Sequence, residues 1–131
     1  MALEVHLVTP EREVWGGPAQ MVIARGTEGT VGILTGHAPL LIRLAIGALR
    51  IQDEAGEWQV AVVDGGFMHV TNQEDRTRVD VLATGAELAS EVDRQAAEAR
   101  VNELQARLEQ DEDAGVRGEL AKALARTELG E

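Results

Sequence analysis

Cysteine is missing from the 131 residues, which excludes disulfide staples and thiolate metal sites and suits a reducing compartment. Aromatic side chains are almost missing too: Trp15, Trp58 and Phe67 are the whole set, so a core has to be built from Val, Leu, Ile and Ala. Lysine and serine occur once each, as Lys122 and Ser90. Basic residues are scarce throughout, with 12 Lys and Arg against 23 Asp and Glu and a formal charge of −11. The acidic excess is spread along the chain, five net charges in residues 1–85 and six in 86–131. A phosphate backbone would meet repulsion everywhere, which argues against nucleic acid as a partner. No apolar run approaches the ~20 residues of a membrane span. The opening MALEVHLVTP has no basic leader before an apolar stretch, so no signal peptide is expected and the chain is read as soluble, with a seat on a membrane complex still open.

What is present divides near residue 85. Up to that point the pattern is one of short strands: Leu3, Val5 and Leu7 alternate with Glu4 and His6, and Met21/Ile23, Val60/Val62 and Val79/Val81 repeat the period of two. Turn signals interrupt it at Gly16-Gly17-Pro18, Asp53 to Gly56, Asp64-Gly65-Gly66 and Thr71-Asn72-Gln73. Turns this frequent predict an antiparallel β-sandwich or barrel for residues 1–85.

Beyond Gly85 the composition turns to Ala, Glu, Arg and Leu. Ser90 is expected to cap a helix, with Asp93 in its first turn. Ala97, Val101, Leu104 and Leu108 recur as one helical stripe. Glu109 to Asp113 and Gly115 predict a stop and turn, and a second helix is expected from Arg117 to about Leu129 with Leu120 and Leu124 on one face. Residues 86–131 are therefore expected to form an α-helical hairpin, narrow and Ala-rich enough to be marginal alone and only conditionally docked. On its surface, i,i+4 and i,i+3 pairs such as Glu103 with Arg107 and Glu91 with Arg94 are expected.

The most unusual stretch is GTEGTVGILTGHAPL, residues 26 to 40, with glycines at 26, 29, 32 and 36. It fails as a phosphate loop, because Gly36 is followed by His-Ala-Pro where Lys-Ser or Lys-Thr and a helix are needed. The GxxGxxGxxxG spacing fails as a dinucleotide fingerprint as well. Tight turns and bulges explain it better. His6, His37 and His69 are scattered and form no metal-type repeat, and carboxylate pairs such as Glu11 and Glu13 are unavoidable among 23 acids. No catalytic constellation emerges, and no metal or cofactor is expected.

With this layout, LEVHLVTPEREVW, GTEGTVGILTGHAPLLIRLAIGALRI, VVDGGFMHV and the closing Ala/Glu/Arg hairpin together resemble the ε subunit family of bacterial F-type ATP synthases. The most specific piece is GTEGTVGILTGHAPLL, followed by GALRI with Gly47 and Arg50, and DGGF at Asp64 to Phe67. The resemblance implies a β-sandwich of about ten strands followed by a two-helix hairpin, in a non-catalytic rotor subunit of the central stalk. It implies binding to γ and to the c-subunit ring, coupling of proton flow to ATP synthesis, and a peripheral position on the cytoplasmic face of the plasma membrane. The hairpin is implied to extend towards the α and β subunits and to restrain ATP hydrolysis.

Carried over residue by residue, Glu28, Gly29 and Thr30 match the turn set against the c ring, and His37, Ala38 and Pro39 the segment near γ. Arg117, Lys122 and Arg126 match the basic residues offered to β. One motif departs: Val92, Asp93, Ala96 and Ala97 occupy the family's ATP-binding positions, but Ala96 stands where the motif has Arg, so weak or absent ATP binding is expected. The competing expectation is a small metabolite- or carbohydrate-binding β-domain with a helical oligomerisation arm, which three aromatics disfavour. A hydrolase using histidines and acids would need those scattered positions to converge.

Overall fold

The computed structural model describes residues 2–111 and 113–128. Seven strands come first: β1 (Ala2–Val8), β2 (Glu13–Gly26), β3 (Gly29–Leu34), β4 (Leu40–Asp53), β5 (Trp58–Gln73), β6 (Arg76–Ala83) and β7 (Ala86–Leu88). A single 3-10 turn, Ala89–Glu91, leads into helices α1 (Arg94–Gln110) and α2 (Ala114–Thr127). The sheet runs β1-β6-β5-β4-β2-β3, with β7 on β5, and a β1–β2 pairing closes it on itself. Every pairing is antiparallel except β1 with β6. The fold class is thus a β-sandwich followed by a helical hairpin, as the sequence predicts.

The strand number corrects the expected ten. Strands β2, β4 and β5 run for 14, 14 and 16 residues and bend instead of stopping where glycines suggest turns. Gly16-Gly17-Pro18 lies inside β2, and Asp64-Gly65-Gly66 lies inside β5. At Gly66, φ is 128°, and a Cβ would stand 2.1 Å from the Leu82 carbonyl oxygen, so only glycine lets β5 bend over β6 there. Thr71 to Gln73 also stays in β5, and the turn falls at Glu74 and Asp75.

Alternation sets the core. Leu3, Val5 and Leu7 are buried while Glu4 and His6 face outward, and Val79 and Val81 line the same interior. In β2 the frame is displaced by one residue from the expected one: Val22 and Ala24 are buried, and Met21 and Ile23 are half-buried on the outer face. The interior is aliphatic, closed by Ile33, Leu49, Ile51, Met68 and Val70. Each such side chain contributes roughly 1.5–3 kcal/mol by leaving water.

Helix α1 opens later than expected. Asp93 is its cap, accepting a 3.0 Å hydrogen bond from the Ala96 amide, while Ser90 sits in the 3-10 turn before it. The carboxylate wins because its charge also complements the helix N-terminus. Helix α2 opens earlier than expected, capped by Asp113, whose carboxylate accepts from the Gly115 and Val116 amides at 2.7 and 3.4 Å. Gly115 is therefore inside the first turn of α2, and the expected helix end at Leu129 lies outside the described residues. The hairpin has its own small core of Val101, Leu104 and Ala123, flanked by Val116 and Leu120. Ala97 is buried as expected, Leu108 is only half-buried, and Leu124 lies outside the hairpin core, partly exposed beside Ile23 and Ile46 of the sandwich.

Candidate functional site

Three regions carry the residues that the sequence singles out. The first is the β2–β3 hairpin. Gly26 pairs with Gly29, Thr27 and Glu28 form the turn, and Glu28, Gly29 and Thr30 are all exposed at its tip. Thr27 donates its amide to the Arg43 carbonyl at 3.1 Å, fixing the tip against β4. Beside it lies a shallow cleft of about 440 Å³ that Leu41, Ile42 and Arg43 help to line.

The second region is the loop containing His37, Ala38 and Pro39, which a buried hydroxyl holds in place. The Gly36 amide donates to Thr77 Oγ1 at 2.7 Å, and that hydroxyl donates to Asn72 Oδ1, also at 2.7 Å. Asn72 Nδ2 completes the circuit by donating to the His37 carbonyl at 2.8 Å. Thr77 is fully buried, so an unmade bond there would cost the full desolvation of the group. Sequence reasoning missed Thr77 and read Asn72 only as part of a turn, because the link from Gly36 to Thr77 spans 41 residues.

Next to this loop the outer face carries exposed apolar side chains that sequence reasoning also missed. Arg43 pairs with Phe67 and Phe67 with Leu82 across three strands, and Leu41 is one step along the same face. Leu41 is 65% exposed and Leu82 53%, and the Arg43 guanidinium sits 5.9 Å from the Phe67 ring centroid. The signal was available only through the register, since Leu41 and Leu82 read as ordinary strand residues.

The third region joins the hairpin to the sandwich. Arg126 donates from Nη1 and Nη2 to the two oxygens of Asp64, at 2.8 and 2.9 Å, and from Nε to Glu87. The Asp64 carboxylate raises the Arg126 pKa against the lowering effect of burial, so the guanidinium stays charged. A second tie runs from Arg12 Nη2 to both oxygens of Glu91, at 2.9 and 3.0 Å, on the exposed surface. Around Arg126 opens a cleft of about 500 Å³ lined by Asp64, Glu87, Val92, Asp93, Ala96, Ala97, Arg100, Glu119, Lys122 and Ala123.

The expected basic edge is therefore divided. Arg126 faces the sandwich, Lys122 lies 3.4 Å from Glu119, and Arg117 stands exposed in the first turn of α2. The expected surface pairs also change partners: Glu91 takes Arg12, and Glu103 takes Arg100 at 3.0 Å. Val92, Asp93, Ala96 and Ala97 share the cleft, with the Asp93 carboxylate engaged in capping α1. Asp64 and Glu87 were not legible as site residues, Asp64 because it reads as a turn and Glu87 because acids are abundant.

The histidines stay apart: His6 on β1, His37 in its loop, His69 exposed on β5. His6 Nε2 contacts Glu4 at 3.0 Å and Nδ1 contacts Glu13 at 3.2 Å, and Arg78 Nη1 reaches Glu4 at 3.2 Å. The hydrogen bond to Glu4 raises the His6 pKa, and the same bond lowers that of Glu4. Among the described residues no helix is long and apolar enough to cross a membrane.

Comparison with known proteins converges on one family. Residues 2–89 match the family model described as ATP synthase, Delta/Epsilon chain, beta-sandwich domain. The chain is 46% identical over 127 residues to the ATP synthase epsilon chain of Thermobifida fusca, covering 95% of this chain and 88% of that one. It is 40% identical over 117 residues to the ATP synthase epsilon chain of Gloeothece citriformis, covering 89% and 81%. Among solved structures, a chain of the Euglena gracilis mitochondrial ATP synthase, in its OSCP/F1/c-ring assembly, superimposes with a TM-score of 0.77 at 27% identity, over 96% of this chain and 78% of that one. A chain from the Tetrahymena thermophila mitochondrial central stalk and c-ring shares the fold, with a TM-score of 0.51 at 20% identity, over 70% and 69%.

Proposed function

The chain belongs to the ATP synthase delta/epsilon family, as a non-catalytic subunit of epsilon type, and we propose that it joins the rotor to the membrane ring and regulates hydrolysis through its hairpin. In this reading residues 1–85 form the attachment domain and residues 86–131 the regulatory one. The tip at Glu28, Gly29 and Thr30 rests on the c-subunit ring, where an exposed polar turn meets polar loops. The His37-Ala38-Pro39 loop contacts γ, and its anchorage through Thr77 and Asn72 fits a part that must transmit torque without yielding. The subunit sits peripherally at the cytoplasmic face of the plasma membrane and helps couple proton flow to ATP synthesis.

The observation that carries the regulatory half is the contact of Arg126 with Asp64 and Glu87 between two hydrophobic clusters that do not merge. A hairpin with its own core, held down largely by charge-assisted hydrogen bonds, can be released as a unit. Each such bond contributes about 1.5–3 kcal/mol, and about 1.4 kcal/mol shifts a two-state population tenfold. In the extended state Arg117, Lys122 and Arg126 face the β subunit, and the α and β subunits become partners. Arg126 cannot serve β and Asp64 together, so docking and inhibition exclude each other. The Val92-to-Ala97 cleft binds ATP weakly or not at all, because Ala96 supplies no guanidinium for a phosphate.

Deletion of residues 88–131 in the assembled complex is the decisive experiment. Hydrolysis is expected to rise while ATP synthesis and assembly persist. Hydrolysis unchanged by the deletion refutes the regulatory role, and loss of assembly with γ refutes the division of labour.

A further inference from the structure

On the side of α2 away from the Val92-to-Ala97 cleft, the β2–β4 ladder is interrupted by a register shift. Ile23 faces Arg50 and Gly26 faces Leu44 across the β2–β4 ladder, so three steps on β2 correspond to six on β4. The two strand edges separate in between, and α2 roofs the opening with Ala121, Leu124 and Ala125. The cleft has a volume of about 460 Å³, within the range of small-ligand sites.

Two arginines face into it. Arg25 lies in the gap against Gly47, where a Cβ would come 2.9 Å from its Cδ, so glycine at 47 is what seats this side chain. Arg50 stands opposite Ile23, two residues from Arg25. Among the described residues neither arginine has an ion-pair partner, although acids outnumber bases 23 to 12. Three other arginines of the sandwich, Arg12, Arg76 and Arg78, take carboxylates, and Arg43 lies over the Phe67 ring. Thr30, directly across the ladder from Arg25, adds a hydroxyl, and among the described residues Glu128 is the one carboxylate on the cleft wall.

We propose that the cleft between β2, β4 and α2 binds a small phosphate-bearing molecule through Arg25 and Arg50. Two guanidiniums without an ion pair among the described residues match the charge of a phosphate group, −1.5 to −2 at neutral pH for a monoester, and their planar forks match its oxygens. Ile23, Ile46 and Leu124 provide an apolar wall for the rest of the ligand. The concave shape under a helical roof favours a small molecule over an acidic protein segment. Because α2 forms the roof, an occupant also favours the docked hairpin.

The test is an NMR titration of the full chain with inorganic pyrophosphate at constant ionic strength. Saturable shifts are expected at residues 23–26, 46–50 and 121–125. Arg25→Gln and Arg50→Gln should each weaken affinity at least tenfold, and Arg25→Lys should weaken it less. Arg107→Gln, which removes an exposed cation from α1, should leave it unchanged. Shifts that do not saturate, that survive both glutamine variants, or that gather at Arg100 and Lys122 overturn the proposal. So does Arg25-dependent binding of poly-glutamate without binding of pyrophosphate.

Discussion

Arg126, in the last turn of α2, holds both carboxylate oxygens of Asp64 on β5, at 2.8 and 2.9 Å across 62 residues of sequence. The arginine is 18% exposed and the aspartate 12%, so water screens the pair only partly. This contact and the Arg126–Glu87 bond are the strongest polar ties between two bodies with separate cores. Docking of the hairpin therefore draws on a few charged atoms and on the partly exposed edge of α2 over β4, and not on a shared buried core.

The Asp64→Asn variant should loosen the hairpin without unfolding the sandwich. Loss of about 1.5–3 kcal/mol of charged hydrogen bonding predicts roughly 10- to 100-fold faster amide exchange at hairpin positions whose exchange requires undocking. Exchange measured by mass spectrometry should show β1 and β6 unchanged. Hairpin protection as high as that of the sandwich, in wild type and variant alike, would refute conditional docking.

Thr77→Val removes the hydroxyl between Gly36 and Asn72 while keeping its shape. The Gly36 amide and Asn72 Oδ1 lose their partner, which predicts a loss of about 1–3 kcal/mol in urea unfolding. Thr77→Ser should recover most of it. The same Val variant should bind γ more weakly, since the His37 loop loses its anchor. An unchanged unfolding midpoint would show that the circuit contributes nothing.

The two layers of the fold were legible at different depths. Alternation in Leu3-Val5-Leu7 is a local consequence of the pleat and could be seen directly, as could the stripe of Ala97, Val101 and Leu104. The bend at Gly66 was not, because a glycine pair marks a turn or a strand crossing equally well until the partner strand is known. Ser90 and Asp93 competed for one cap, and only the backbone decided between them. Glu28 to Thr30 were legible because a two-residue turn exposes its tip by construction. Asp64, Glu87 and Thr77 were not, since their roles come from pairings over dozens of residues.

Stability should fall in mildly alkaline solution through His6. Its pKa is raised chiefly by the hydrogen bond with Glu4, so the folded state binds the proton more tightly than the unfolded chain. The contribution is fully present below the ordinary imidazole value of about 6.5 and is lost as pH rises through the folded value. Its size should be under about 1 kcal/mol, given the partly exposed partners. Urea midpoints from pH 6 to pH 9 should decline in the wild type and flatten in His6→Gln. Glu4 acts in the opposite sense: its lowered pKa stabilises above the ordinary carboxylate range and the benefit is lost on acidification. A wild-type profile with no decline above pH 6.5 would count against the His6–Glu4 coupling.

Gly66 and Gly32 offer a sharper comparison, because both are strand glycines and sequence alone cannot rank them. At Gly66 a methyl group would meet the Leu82 carbonyl at 2.1 Å and the Ala83 Cα at 2.8 Å, with φ at 128°. Neither atom belongs to a flexible side chain, so β5 and β6 would have to separate at the bend that also positions Asp64. Gly66→Ala should cost about 3 kcal/mol or more and weaken the Arg126 contact with it. At Gly32 nothing lies within 4 Å, and β3 runs along an exposed face. Gly32→Ala should therefore be neutral, or stabilising by about 0.4–1 kcal/mol through the unfolded chain. Thermal unfolding of the two variants separates these outcomes. Equal effects would mean that the bend at residue 66 is not the constraint that shapes the sandwich beneath the hairpin.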